Sequence, residues 1–241
     1  MGTESQIGTL IAILTGLITY QGLKHPSYQN KYLLHVDSIL VGKEYYRLFS
    51  SGFLHTNWMH FGFNMAALVS FALSIEILLG IKSFLVIYCL SLLGGSLLAL
   101  YIHRNHADYS GVDASGAISG VIASAIILFP EGEIGLILLP GGIKSWVFGL
   151  VFIAISILGI KAQSDNIGHE AHLGGLLTGI VTTSIIDPVK FAENLWIVLI
   201  MGVPIILFLI LIIKRPDIFI TGKWNFSKPH IPNRSLSLIH I

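Results

Sequence analysis

Residues 115–129 read SGAISGVIASAIILF, an apolar run that begins with a serine and is long enough for about four turns of helix. Small residues recur at every fourth position along it, at Gly116, Gly120 and Ser124. Within lipid, such a ridge of small side chains lets two helices approach closely. The run therefore predicts a closely packed helix with Ser115 at its start.

Residues 171–186 read AHLGGLLTGIVTTSII and share this pattern, with His172 near the start. Small residues again recur at every fourth position: Ala171, Gly175 and Gly179. We expect the two ridges to pack together and to bring Ser115 and His172 within hydrogen-bonding reach. A serine hydroxyl becomes a nucleophile when a neighbouring base removes its proton, so the pair indicates nucleophilic catalysis. The alternative is that the serine and glycines serve helix packing alone.

The composition excludes a soluble globular domain. Hydrophobic residues make up 54% of the 241-residue chain, charged residues only 11%, and the mean hydropathy is +0.78. Soluble domains carry about 25% charged residues, so we predict an all-α, polytopic membrane helix bundle. A formal net charge of +1 gives no indication of a nucleic-acid partner. Cys89 is the only cysteine, which excludes a disulfide within the chain.

Seven apolar runs are expected to cross the membrane as helices. They are Ile7–Leu23, Trp58–Leu79, Lys82–Ile102, Ser115–Phe129, Trp146–Ile160, Ala171–Ile186 and Leu195–Ile213. The first run has no basic leader and no small-residue cleavage site, so we interpret it as a retained span. Alternate spans run in the same direction, and the second, fourth and sixth begin near His60, Ser115 and His172. We therefore expect these side chains on one side of the membrane at similar depth.

His60 and Asn64 lie four residues apart and share one face of the second span. Burying two polar side chains in lipid is costly unless they are paired or used. As neutral donors they would stabilise an oxyanion, with the backbone N–H of Ser115 as a third donor near a helix N-terminus. The alternative is a hydrogen bond between helices. We interpret His55, at the end of the preceding loop, as an orienting residue.

Other polar residues are assigned structural or solvated positions. Glu76 lies near the opposite end of the second span from His60, and we predict that it forms structural hydrogen bonds. His103, Arg104 and His106 fall where the third span ends, and we expect them to lie in a solvated loop.

A metal site is the competing chemistry. Four histidines are expected near the proposed catalytic site: His55, His60, His169 and His172. The zinc-protease helix motif has two histidines four residues apart, whereas residues 169–172 read HEAH and have a spacing of three. We therefore expect no metal. A serine–histidine dyad is the simplest interpretation, because no carboxylate other than Asp113 is placed to complete a triad.

Several separated segments together resemble the rhomboid family of intramembrane serine proteases. Residues 46–55 (YRLFSSGFLH) are similar to the family's first-loop segment, and residues 55–64 (HTNWMHFGFN) match its His-x4-His-x3-Asn pattern. Residues 114–118 (ASGAI) resemble its nucleophile motif, and residues 171–175 (AHLGG) resemble its base motif. The resemblance covers the first six spans in the order of the family.

The resemblance implies both a fold and an activity. The fold is a six-helix catalytic core at residues 1–187 with a seventh transmembrane helix at 188–213. The residues of the tail, 214–241, independently predict a polar, loosely ordered segment. The activity is that of a serine endopeptidase which cleaves transmembrane protein substrates within lipid, without cofactor or metal. The implied residues are the catalytic Ser115 and His172 and the oxyanion-hole residues His60 and Asn64. We assign supporting positions around them to His55, Gly116 and Asp113. The expected location is a bacterial inner membrane.

Two features depart from the family pattern. Asp113 stands where the nucleophile motif has a glycine, and a carboxylate near the nucleophile disfavours an oxyanion. The membrane orientation also conflicts. The family places its N-terminus in the cytoplasm, whereas the basic residues of the first loop and tail favour the reverse by the positive-inside rule. We adopt the orientation of the family, because its motifs are the more specific signal.

Two other functions stay open. One is a non-catalytic rhomboid-like binding or quality-control protein, and the other is a solute transporter, which the absence of a two-fold repeat disfavours.

Overall fold

The computed structural model describes residues 5–112, 114–136, 139–162 and 168–215. The helices are α1 (Gln6–Lys24), α2 (Pro26–Tyr32), α3 (Val36–Leu40), α4 (Arg47–Ser50), α5 (Trp58–His103), α6 (Ser115–Leu128), α7 (Ser145–Ala162), α8 (His169–Ile186), α9 (Pro188–Glu193) and α10 (Leu195–Lys214). The strands are β1 (Leu34–His35), β2 (Ser110–Gly111), β3 (Glu133–Leu136) and β4 (Leu139–Lys144), and a 3₁₀ turn covers Ser51–Phe53. The predicted helical membrane bundle is confirmed.

α5 is a 46-residue element that is broken at Gly80. Gly80 has φ 80° and ψ 166°, a backbone conformation that glycine adopts readily and other residues do not. The chain therefore changes direction at this single residue. The two halves correspond to the predicted second and third spans, and both contribute to one core, for example through Leu68 and Leu92.

The centre of the bundle consists of α5, α6 and α8, which make the most extensive contacts with one another. All 14 residues of α6 are buried. At 1.5 Å per residue this helix is only about 21 Å long, shorter than the roughly 30 Å of a hydrocarbon core. A short helix enclosed by its neighbours places its first residue, Ser115, inside the protein.

Glycines allow α6 and α8 to approach so closely. A Cβ atom at Gly175 would overlap the carbonyl oxygen of Gly116, and a Cβ atom at Gly179 would overlap the carbonyl oxygen of Gly120. Ser124 continues the contact, since its hydroxyl donates to the carbonyl of Gly179 at 3.4 Å. The predicted packing of the two small-residue ridges is confirmed.

Further helices surround this centre. α1 packs against α5, and α10 packs against α7 and α8. Within the described ranges, α1, α5 and α10 are the helices long and apolar enough to cross a membrane, while α6 and α7 are shorter apolar helices. The two halves of α5 on either side of the kink at Gly80 correspond to two of the predicted spans.

Two short strand pairs connect the loops. β1 pairs antiparallel with β2, with Leu34 opposite Gly111, and so links the loop after α1 to the segment before α6. β3 and β4 form a hairpin between α6 and α7, with Glu133 opposite Lys144. The first pair braces the end of the bundle at which α6 begins.

Glu76 holds the start of α1 through its carboxylate. The carboxylate oxygens accept the backbone N–H groups of Gln6 and Gly8, both at 3.1 Å, and the hydroxyl of Ser5. A negative charge at a helix N-terminus binds N–H groups that lack intrahelical partners and interacts favourably with the helix dipole. The predicted structural role of Glu76 is confirmed.

Candidate active site

Three helices converge next to Ser115. This residue begins α6 and is 7% exposed. A Cβ atom on its neighbour Gly116 would lie 3.3 Å from the carbonyl oxygen of Ala171 on α8, and one on Gly95 of α5 would lie 2.7 Å from the same oxygen. Ala171 immediately precedes His172. The closest contact of α5, α6 and α8 at this end is therefore one residue away from both Ser115 and His172.

His172 is held by side chains of α7. It is the fourth residue of α8 and is 7% exposed. Its Nδ1 lies 3.2 Å from the Oγ of Ser156, and its ring stacks on Phe152 with centroids 5.2 Å apart and an angle of 23° between the rings. The ring of His169, one turn earlier on α8, meets it edge-on at 5.3 Å. The imidazole is thus bounded by α7 and by its own helix.

His60 and Asn64 lie in the first two turns of α5, where Asn64 is buried and His60 is partly exposed. Asn57 caps this helix by accepting the backbone N–H of His60 at 2.8 Å. His55, just before the helix, is fully buried, with its Nδ1 3.0 Å from the hydroxyl of Thr19. The rings of His55 and His60 meet edge-on at 5.3 Å. His55 therefore links α1 to the start of α5.

His103 and His106 are buried, so the prediction that they lie in a solvated loop is wrong. The Nε2 of His103 lies 3.1 Å from the Glu170 carboxylate, and its Nδ1 lies 3.1 Å from the Nδ1 of His106. The ring of His103 also stacks on Tyr109 at 3.6 Å. The prediction failed because the decisive partner, Glu170, is 67 residues further along the chain, whereas the neighbouring Arg104 is indeed exposed.

This histidine cluster joins the end of α5 to the first turn of α8. Burial, together with the neighbouring His103, lowers the pKa of His106 from 6.5 to about 4. His106 is consequently neutral at pH 7. Because Glu170 is two residues before His172, the cluster anchors the helical turn that carries the candidate base.

Among the four histidines considered as metal ligands, the rings of His55 and His60 are in contact, and so are those of His169 and His172. Among the residues that the structure describes, no three His, Cys, Asp or Glu side chains are grouped so as to hold a metal ion. The competing metal hypothesis thus has no ligand set in that part of the chain.

Sequence reasoning missed three residues around His172: Phe152, Ser156 and Glu170. Ser156 gave a usable signal, because it is a hydroxyl within an otherwise apolar span. Its partner depends on how α7 is rotated about its axis, which the span pattern does not specify. Asp113, predicted to support the site, lies outside the described residues.

The comparison with known families decides the class of the protein. A family model described as the Rhomboid domain matches residues 42–189, more than half of the chain. The chain belongs to the rhomboid family. The resemblance noted in the motifs is thereby confirmed, and the matched range includes every described candidate site residue.

Individual relatives support the same assignment. Rhomboid protein 1, mitochondrial, of Saccharomyces cerevisiae is 32% identical over 154 residues, which are 63% of this chain and 44% of that protein. Presenilin-associated rhomboid-like protein, mitochondrial, of Homo sapiens is 34% identical over 143 residues, or 54% of this chain and 35% of that protein. The chain spans less than half the length of these relatives.

The family and the apolar helices make this rhomboid a multi-pass membrane protein. The names of the yeast and human relatives place those proteins in mitochondria. They therefore give no support to the expected bacterial inner membrane.

Proposed function

We propose that this rhomboid is an intramembrane serine endopeptidase that cleaves transmembrane protein substrates through a dyad of Ser115 and His172. The observation that supports the proposal most is the contact between Gly116 and Ala171, one residue from each member of the dyad. Both candidate residues lie in the first turn of a helix, and both are largely shielded from solvent. Such shielding strengthens electrostatic interactions within a site.

In the proposed reaction, His172 accepts the proton of Ser115 while the serine oxygen attacks the scissile carbonyl. The protonated imidazole then gives this proton to the leaving amine, and an acyl-enzyme forms. Water, deprotonated by the same imidazole, hydrolyses the acyl-enzyme and regenerates the serine.

The proposed oxyanion hole combines the side chains of His60 and Asn64 with the backbone N–H of Ser115. The first N–H groups of a helix have no intrahelical acceptor, so that of Ser115 is suited to bind an oxyanion. The positive end of the α6 dipole favours negative charge at the same place.

The substrate is proposed to be a transmembrane segment that enters sideways from the lipid. A peptide bond within a helix is shielded by the backbone around it, so helix-destabilising residues near the cleavage site should favour cleavage. We also propose that residues 1–187 form the catalytic core and that 188–213 add a seventh helix. A chain that ends after residue 187 should then retain labelling at Ser115.

The direct test uses the Ser115→Ala and His172→Ala variants with a membrane-tethered reporter. Each should lower cleavage by at least about a thousandfold while the protein still accumulates in the membrane. Ser184→Ala is the matched control, because Ser184 is a partly exposed serine near the far end of α8 and its replacement should leave cleavage unchanged.

A serine-directed fluorophosphonate provides a second measurement. Mass spectrometry should locate the label on Ser115 in the wild type and find none in Ser115→Ala. Normal cleavage by Ser115→Ala would refute the dyad. A wild-type protein that is folded but neither labelled nor active on any helical reporter would favour the non-catalytic rhomboid-like function.

Asp113 gives a further test, which rests on the sequence. A carboxylate repels a developing oxyanion and raises the energy of the transition state, so Asp113→Gly should increase the rate of cleavage at neutral pH. A collapse of activity in this variant would instead show that the carboxylate takes part in the reaction.

A further inference from the structure

Ser156 has two hydrogen-bond partners in the interior of the bundle. Its side chain on α7 is fully buried. Its Oγ lies 2.9 Å from the carbonyl oxygen of Phe152 and 3.2 Å from the Nδ1 of His172. A carbonyl oxygen only accepts hydrogen bonds, and a serine hydroxyl has a single hydrogen to donate.

Because the hydroxyl has a single hydrogen, the directions of the two bonds depend on each other. When the hydroxyl of Ser156 donates to the Phe152 carbonyl, its oxygen can only accept from His172, so the imidazole must carry its proton on Nδ1. The distances agree with this assignment, since 2.9 Å lies within the O–H···O range and 3.2 Å within the N–H···O range. The neutral ring then presents a lone pair on Nε2.

One face of α7 is shaped around the histidines of α8. Phe152, Ser156 and Gly159 follow one another at helical spacings of four and three residues. Phe152 stacks on the His172 ring and Ser156 binds its Nδ1, while a Cβ atom at Gly159 would overlap the ring of His169. Rotating the His172 ring would break both the stacking and the hydrogen bond.

We propose that Ser156 is a positioning residue that holds the imidazole of His172 in the tautomer protonated on Nδ1. This inference rests on the proposed function, because it concerns the candidate base. A general base must offer an unprotonated nitrogen, and in the Nδ1–H tautomer that nitrogen is Nε2. During the reaction Nε2 gains and then releases the proton of Ser115, while Nδ1 keeps its own proton and donates it in a hydrogen bond to the Ser156 oxygen.

The first experiment measures the tautomer in the intact wild-type protein. Nitrogen-15 NMR of the histidine side chains, at a pH where the imidazole is neutral, distinguishes Nδ1–H from Nε2–H, and His172→Gln identifies the signal. We expect Nδ1–H in the wild type and a mixture of the two tautomers in Ser156→Ala. A wild-type signal with the proton on Nε2 would overturn the inference.

The second experiment measures cleavage kinetics with the membrane-tethered reporter. Ser156→Ala should lower kcat about tenfold with KM unchanged, a fraction of the 100- to 10,000-fold that a positioned general base contributes. Thr182→Val is the matched control. It removes a similar bond, from Thr182 to the Thr178 carbonyl at 2.7 Å, at a buried position on α8 far from His172.

The outcomes separate this inference from the proposed function. Wild-type kcat in Ser156→Ala, together with an inactive Ser115→Ala, would refute the role of Ser156 and leave the dyad standing. Normal cleavage by Ser115→Ala would refute the dyad itself, whatever the tautomer of His172.

Discussion

Replacing Gly95 with alanine tests the three-helix contact on which the geometry of the site depends. The new Cβ atom would lie 2.7 Å from the carbonyl oxygen of Ala171 and 3.1 Å from the Cα of Gly116, whereas ordinary contact begins at 3.4 Å. Both obstacles are backbone atoms, so no side chain can rotate away. α8 must therefore move from α5 by about 0.7 Å.

The size of the effect follows from this displacement. Overpacking a core costs about 1–3 kcal/mol, and a shift of about 2 kcal/mol lowers the Tm of a chain of this size by about 4–8 °C. Ala171 precedes His172, so the candidate base moves with it. Since a misplacement of about 1 Å costs roughly a hundredfold in rate, cleavage should fall about 10- to 100-fold.

Two measurements check this prediction: thermal unfolding in detergent and cleavage of the membrane-tethered reporter. Gly202→Ala is the control, because a Cβ atom at Gly202 on α10 meets nothing within 4 Å, so this variant should lower neither value. A Gly95→Ala protein with wild-type Tm and wild-type cleavage would show that α5 and α8 do not meet at this point.

Three further predictions concern stability. His103→Phe leaves the buried Glu170 carboxylate without its imidazole partner, so the free energy of unfolding should fall by about 3 kcal/mol. Chemical denaturation measures this value, and an unchanged value would contradict the pairing. His106 has a folded-state pKa of about 4, below its ordinary 6.5, so its neutral form stabilises the protein above pH 6.5 and this stability is lost as the pH falls towards 4. The difference in Tm between wild type and His106→Asn should shrink across this window, and a constant difference would refute the shift. Glu76→Leu removes the acceptor at the start of α1 and should lower the stability of that helix end by about 1 kcal/mol. Hydrogen exchange at the amide of Gly8 should become faster, and unchanged exchange would exclude the cap.

The sequence by itself determined the membrane-bundle class, the apolar runs and the contact between two helices. These features could be read because hydrophobicity and the spacing of small residues are local properties of the chain. Burial of a run in lipid requires helix, and glycines four residues apart must lie on one helical face. The boundary between the second and third predicted runs, at residues 80–81, coincides with the break at Gly80.

Only the tertiary structure decided which buried polar groups meet. His103 binds Glu170, and Ser156 binds His172, through contacts between helices that are separate in the chain. The rotation of each helix about its axis selects these partners, and that rotation results from the packing of all neighbours together. A hydropathy pattern indicates which runs lie in the membrane, but it contains no information on the atom that each polar side chain will face.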